Sequence, residues 1–517
     1  MSDQGGRGLL YRGLDWDFDT IRRVYAAIEE IAQKELGLDT YPNQIEVISA
    51  EQMLDAYASN GLPINYAHWS FGKRFAQHEA VYRRGWGGLA YEIVINSDPC
   101  ISYIMEANTA TMQTLVIAHA AFGHNHFFKN NYLFRAWTDA EGIINYLDFA
   151  KKYITRCEEE YGKRAVEVIL DAAHALISHG VHHYQRRKKP ELAMEERRER
   201  ERQLYHERVY DDLWRTVPAR AAKRPANVDE ARRRALLDLP QENLLYFIER
   251  TAPRLRPWQR EILRIVRQIA QYFYPQGQTQ VMNEGCATYC HYAIMNRLSE
   301  RGQISDGHFL EFLQSHTNVV FQPGFDQSPR INPYALGFAM MSDIHRICVD
   351  PTDEDREWFP DIAGSGTPHE VLKSVWAEYR DESFILQYLS PRLIRQWRFF
   401  HLVDDPSQPH LRVAAIHNEA GYRRIRRALA RQYDIGENRP DIQVVDVDLA
   451  GDRRLIVHHK VENGVFLKAD EAEQVLQQLA NLWGYEVLLA EVDENGRSLR
   501  EHKAAPSPAT EIAYRTG

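Results

Sequence analysis

The sequence predicts an α+β protein: a mainly helical core that carries a small sheet, followed by a C-terminal domain with the ferredoxin-like order β-α-β-β-α-β. Three observations predict it. Apolar residues recur at three- and four-residue spacing through most of the first 400 positions, with only short strand-like runs between them. From Leu411 onward the texture changes to β-branched runs alternating with two helical stretches, the split βαβ order. Hydrophobic residues make up 44% of the 517 positions, enough to bury a large core in roughly two to four domains.

Residues 1–13 read as a flexible N-terminus. A helix then runs from Asp17 to Leu36, because Ile21, Val24, Tyr25, Ile28 and Ile31 fall on one face, and Asp39-Thr40-Tyr41-Pro42 ends it. Ile45–Ser49 is a strand, Glu51–Tyr57 a helix, Leu89–Ile95 a second strand, and Asn96-Ser97-Asp98-Pro99 a turn. Thr111–Phe128 is a histidine-bearing helix interrupted at Gly123, followed by helices over Asp139–Tyr161 and Val166–His179. Such an order suits a helix packed on a small sheet. It is also shared with zincin-like metallopeptidases, a fold-level analogy.

Between 188 and 227 the chain becomes a charged insert, Glu195-Glu196-Arg197-Arg198-Glu199-Arg200-Glu201-Arg202 at its centre, which reads as a solvated helix and linker. Helices resume over Gln241–Gln276, around Glu284, over Asp306–Ser315, over Pro333–Cys348 with proline at its preferred first position, and over Ser390–Phe400. These close a core spanning 14–400. The ferredoxin-like domain, 401–495, takes its strands from Leu411–Ile416, Ile442–Asp448, Leu455–Lys460 and Tyr485–Val492, and its helices from Gly421–Tyr433 and Ala469–Trp483. The tail, 496–517, reads as disordered.

Several function classes are disfavoured by composition. A formal charge of −9 argues against a nucleic-acid binder. Five cysteines without regular spacing make no disulfide framework and fit a reducing compartment. No apolar run reaches membrane-spanning length, and the N-terminus lacks a signal-peptide pattern, so the expectation is a cytoplasmic protein without a membrane span. Neither a phosphate-binding Gly-rich loop nor a Gly-x-Ser-x-Gly elbow is present.

Chemistry concentrates in three segments. His119 and His124, five residues apart, would lie about 140° apart on a regular α-helix, so they share a site only if the helix loosens. Gly123 supplies backbone freedom for that. Compared with His-Glu-x-x-His, the spacing is one residue longer and the glutamate base is absent. A carboxylate must therefore come from elsewhere, and Glu106 and Glu284 are the candidates. Glu284 and His291, two helical turns apart, face one side of their helix, either as ligands or as ligand and orienting partner. A third cluster holds His174, His179 and His183; the basic run Arg186–Lys189 after it suggests a solvated helix end, leaving His174 as a further ligand candidate. Cys286 and Cys290 read as small core residues, and Asn130, Asn131 and Asn332 as caps or polar supports. Imidazole and carboxylate without thiolate suit Zn²⁺, with Mn²⁺ or Fe²⁺ as alternatives.

The motifs Ala118–Asn131 followed by Tyr132-Leu133-Phe134, Met282-Asn283-Glu284-Gly285 through Tyr292, and Ile331–Phe338 resemble the stage V sporulation protein R (SpoVR) family. Trp358-Phe359-Pro360-Asp361-Ile362 and Asp381-Glu382-Ser383-Phe384-Ile385 extend the resemblance, which covers roughly Leu14 to Val492. It implies a link to sporulation and spore cortex formation or to stress responses. It also implies, in non-sporulating bacteria, partnership with a serine protein kinase system. Two functions follow as expectations: metal-dependent, hydrolase-like chemistry at His119, His124, Glu284 and His291, with Glu106 and His174 as weaker members; or a non-enzymatic regulatory or scaffold protein acting with the kinase system.

Overall fold

The computed structural model describes residues 8–58, 66–70, 73, 92–181, 237, 239–324, 331–399, 401–403, 412–415, 418–434, 439–448, 451–462 and 464–507. The charged insert at 188–227, together with His182 and His183, lies outside these described residues. The chain divides into two compact units. One is formed by residues 1–167 and 271–439, the other by 168–270 and 440–517.

The first unit is mainly helical. Helix α1 (Phe18–Lys34) starts where the Asp17 carboxylate accepts the Thr20 backbone N–H, 2.7 Å, and it buries Ile21, Val24, Ile28 and Ile31 as the spacing predicts. Each such aliphatic side chain contributes about 1.5–3 kcal/mol on burial. Strand β1 (Asn43–Ile48), helix α2 (Ala50–Ala58), β2 (Glu92–Ile95) and β3 (Cys100–Met105) follow. They form a sheet in the order β1-β3-β2, with β3 parallel to β1 and antiparallel to β2. The turn expected at Asn96–Pro99 joins β2 to β3, a strand the sequence reading leaves unassigned. Its alternation is plain in the structure, with Cys100, Ser102 and Ile104 buried and their neighbours half-exposed.

Next come α3 (Ala110–Ile117), a π-helix (Ala118–His124) and α4 (Asn125–Asn130) as one continuous rod. At its end the Asn125 N–H donates to the Ala120 carbonyl, five residues back. Helix α5 (Gln280–Glu300) is buried almost all round, with Met282, Cys286, Cys290, Ile294, Met295 and Leu298 in the core. Two close approaches hold it there. A Cβ at Gly123 would lie 2.5 Å from the Ala287 Cα, and one at Gly285 would lie 2.6 Å from the Gly337 Cα. Gly123 therefore serves packing, whereas the sequence suggests a helix break. Around α5 lie α6 (Asp306–Val319), α7 (Pro333–Val349), α8 (Asp353–Trp358), α9 (Asp381–Tyr388) and α10 (Glu419–Tyr433). Asn131 and Asn332 act as helix N-caps, as expected, and Asn131 also donates to the carbonyls of Trp376 and Tyr379. Asp381, from one of the familial blocks, receives the first N–H groups of α5, Val281 and Met282, at 2.9 Å each.

The second unit contains a four-stranded sheet in the order β6 (Ile442–Val447), β7 (Leu455–Lys460), β8 (Val487–Val492), β9 (Ser498–Ala504). Only the β7–β8 pair is parallel. This departs from the ferredoxin-like expectation in two places. The strand β5 (Arg412–Ala415) pairs with β4 (His401–Val403), and α10, which follows, buries Ile425 and Leu429 in the core of the first unit. The remaining edge strand, β9, comes from the stretch expected to be tail. It is mostly exposed, with Arg500, Glu501 and Lys503 charged, and only His502 is buried, its Nε2 2.9 Å from the buried Glu491 carboxylate. An edge strand of that composition carries no apolar alternation to read.

Candidate metal centre

Four donor atoms converge in the first unit. The π-helix explains how two histidines at i and i+5 take part. With hydrogen bonds closing at i→i+5 rather than i→i+4, residues five apart stack on one face. The His119 and His124 rings stand 4.6 Å apart, edge to face. Into the same space come Glu284 from α5 and Glu92 from the first position of β2. Glu284 Oε2 is 3.5 Å from His124 Nε2 and 3.8 Å from His119 Nε2, and Glu92 Oε1 is 3.7 Å from His119 Nε2.

These separations can be compared with a coordination sphere. Donors bound at about 2.1 Å in tetrahedral geometry lie about 3.4 Å from one another. The observed 3.5–3.8 Å are close to that, and one ligand atom from each of Glu92, His119 and His124 falls within 4.8 Å of the others. Direct hydrogen bonds would need closer contact. Accordingly His119 Nε2 and Glu284 Oε2 are both buried without a hydrogen-bond partner. Orphaned polar atoms of this kind are costly, and a cation between them would satisfy both.

The ring nitrogens facing away are held. His124 Nδ1 is 2.9 Å from Asn283 Oδ1, which can only accept, so Nδ1 carries the proton and Nε2 presents its lone pair. His119 Nδ1 is 3.0 Å from His291 Nδ1, and His291 Nε2 is 2.9 Å from His316 Nδ1 on α6. With the His119 Nε2 lone pair turned to the site, donation runs one way along the string, from His119 to His291 to His316. The imidazoles are only 4% and 8% exposed, whereas the Glu92 and Glu284 side chains are 18% and 19% exposed, so the carboxylates form the open side.

Without a cation the groups settle by sharing protons. Burial lowers His124 to about 4, leaving it neutral. Burial also opposes a charge on His119, but the Glu284 and Glu92 carboxylates outweigh it and raise its pKa. Glu92 is raised by burial, while Glu284 is lowered, the nearby histidines overcoming its burial. The carboxylates thus favour positive charge at His119, a role that a divalent cation would take over.

Of the residues expected from sequence, His119, His124, Glu284 and His291 come together. His291 has both ring nitrogens engaged by other imidazoles, behind His119. Glu106 does not join them; it is exposed after β3, its N–H donating to the Ile48 carbonyl. His174 belongs to the second unit. Cys286 and Cys290 are fully buried, and burial raises the Cys286 thiol well above its ordinary range. Sequence reading overlooks Glu92, Asn283 and His316. Glu92 had a signal, being the one charged residue in the apolar run Leu89–Ile95.

The SpoVR like protein family profile matches residues 15–438, and the SpoVR-like C-terminal domain profile matches 440–494. The second boundary coincides with the return of the chain to the second unit at Pro440. The chain is 54% identical over 487 residues to the uncharacterized protein YcgB of Escherichia coli (strain K12), covering 94% of each. No solved structure matches. The chain therefore belongs to the SpoVR family.

Proposed function

We propose that Glu92, His119, His124 and Glu284 hold one divalent metal ion that serves a hydrolytic reaction. The observation that carries this reading is the pair of buried, unpartnered atoms, His119 Nε2 and Glu284 Oε2, facing one another at 3.8 Å. Two imidazoles and two carboxylates without thiolate suit Zn²⁺, with Mn²⁺ or Fe²⁺ as alternatives. When bound, such an ion polarises a carbonyl and lowers the pKa of water to near neutrality. The chain's own residues do the rest. Asn283 and His291 fix the two imidazole tautomers and orient the rings. Glu284, on the open side, can also take a proton from water through its second carboxylate oxygen and return it to a leaving amine. The buried imidazole face excludes solvent from behind.

The link of the family to sporulation makes a cytoplasmic wall precursor, or a protein controlling wall synthesis, the first substrate class to try. Metal content by elemental mass spectrometry tests the reading, on wild type and on His119→Ala, Glu92→Gln and Glu106→Gln. Near-stoichiometric metal in wild type and Glu106→Gln, lost in the other two, is the expected result. A folded wild type that resists loading would sink the reading. It would favour the regulatory or scaffold alternative, a partner of a serine protein kinase system.

A further inference from the structure

A second constellation lies in the same unit, against the familial block that begins at Trp358. A cavity of about 500 Å³ is bounded by α8, α9 and α10, and Trp358, Arg423, Arg426 and Arg427 line it with Glu357 and Glu419. Three arginines of this neighbourhood are matched to carboxylates. Arg346 forks onto Asp355 at 2.7 and 2.9 Å, and Arg395 onto Glu354 at 2.8 and 2.6 Å. Arg423 pairs with Glu419 at 2.9 Å.

Arg426 stands apart. It is 9% exposed, and its guanidinium stacks on Trp358 at 4.6 Å and on Phe359 at 5.3 Å. Its Nε donates to the Leu389 carbonyl, but its Nη2 is buried with no partner, and among the described residues no carboxylate pairs with it. Burial and the neighbouring Arg423 lower its pKa only to about 10, so it remains a cation at neutral pH. Among the described residues Arg427 likewise has no ion pair; its Nε donates to the Arg423 carbonyl. A buried, uncompensated charge is among the most expensive features a fold can carry. The aromatic faces recover only part of that, about 0.5–2 kcal/mol for each cation–π contact.

We infer that this cavity binds a small organic phosphate monoester, whose two negative charges match the two unpaired guanidinium groups of Arg426 and Arg427. A dianion fits better than a monocarboxylate on charge. Guanidinium forks are also suited to paired phosphate oxygens. The volume lies in the range of small-molecule sites and exceeds what inorganic phosphate alone would fill. Glu357 is solvent-exposed, so its charge is screened and does not cancel the pair.

The test is calorimetric titration of the full chain, kept in EDTA so that the candidate metal centre takes no part. Phenyl phosphate, inorganic phosphate and benzoate are the probes. Wild type should bind phenyl phosphate saturably, more tightly than either of the others. Arg426→Met and Arg427→Gln should each weaken it at least tenfold. Arg424→Gln removes an equal charge from the same helix outside the cavity lining and should bind as wild type. Arg427 is exposed, so its variant serves even if Arg426→Met fails to fold. No binding of phenyl phosphate, equal binding of benzoate, or equal loss in Arg424→Gln would each overturn the inference.

Discussion

Gly123→Ala separates packing from helix preference at the candidate metal centre. An alanine Cβ there would sit 2.5 Å from the Ala287 Cα, 2.9 Å from its Cβ and 3.3 Å from its carbonyl carbon. Carbon atoms in contact ordinarily stay about 3.5–4.0 Å apart. The obstruction is mainly backbone, so no rotamer change relieves it, and the π-helix must draw back from α5 by about 1 Å. Overpacking of this kind costs about 1–3 kcal/mol. Alanine recovers about 1 kcal/mol of helix preference, so the net loss is about 1 kcal/mol. The site suffers more. His124 and Glu284 stand on the two elements forced apart, and their 3.5 Å separation would widen to about 4.5 Å. Zinc affinity, measured by competition with a chromogenic chelator, should fall at least tenfold, while urea unfolding shows the smaller loss. Gly307→Ala is the control, because the nearest atom to its Cβ is Ser305 Oγ at 4 Å or just under. If Gly123→Ala binds zinc and unfolds like wild type, the packing argument is refuted.

The remaining predictions concern other polar clusters. His291→Leu leaves the His119 ring without its hydrogen-bonded support and should weaken zinc binding about 10- to 100-fold, in a protein whose circular dichroism is unchanged. Burial works to raise the Asp355 carboxyl, but hydrogen bonds from Arg346 and Thr352 prevail and bring it down to about 2. Its folded pKa lies below its unfolded one. The stability it contributes, about 1–2 kcal/mol after allowing for solvent at Arg346, is therefore present above about pH 4 and lost as pH falls through about 2. The gap between wild type and Asp355→Asn in urea unfolding should shrink over that window; a constant gap contradicts the assignment. In the second unit, Glu249 is buried between Arg264 at 3.0 Å and Arg267 at 2.9 Å. Arg264 keeps Glu261 at 3.3 Å, so Glu249→Gln strands the buried Arg267 and should cost about 3–5 kcal/mol, seen as an earlier unfolding step; a loss below about 1 kcal/mol would mean that Arg267 finds another partner.

Helical periodicity makes the first unit legible at α1, whose Ile21, Val24, Ile28 and Ile31 fall on one face. The site was half legible for a related reason. His119, His124, Glu284 and His291 stand out as polar groups in apolar helices, and that contrast survives in sequence. What joins them does not. Glu92 reaches the cluster through the β2–β3 pairing, and with β3 unassigned, its lone charge in an apolar run does not say where it arrives. Glu106, which the sequence offers beside Glu284 as a carboxylate candidate, lies exposed. The C-terminal order misled because β5 and α10 have the right local pattern but pack elsewhere, a choice made by tertiary contacts. His316 lay one residue beyond the helix as drawn, at a position where one residue decides the hydrogen-bonded string.

The energetics favour a function for the cluster over a structural role. Two imidazoles and two carboxylates are gathered where burial penalises charge, and two of their atoms are left unpartnered. Replacing such a group by apolar side chains of similar volume is often neutral or stabilising, by about 1–4 kcal/mol. A fold selected for stability alone would also keep the rod from α3 to α4 as a regular α-helix, since a π-helical turn is rarely retained without reason. The regular helix would send His124 about 140° away from His119 and dissolve the site. The irregular backbone and the unpartnered atoms are thus one feature seen twice. The chain gives up local regularity at Ala118–His124 and leaves His119 and Glu284 facing a gap of cation size.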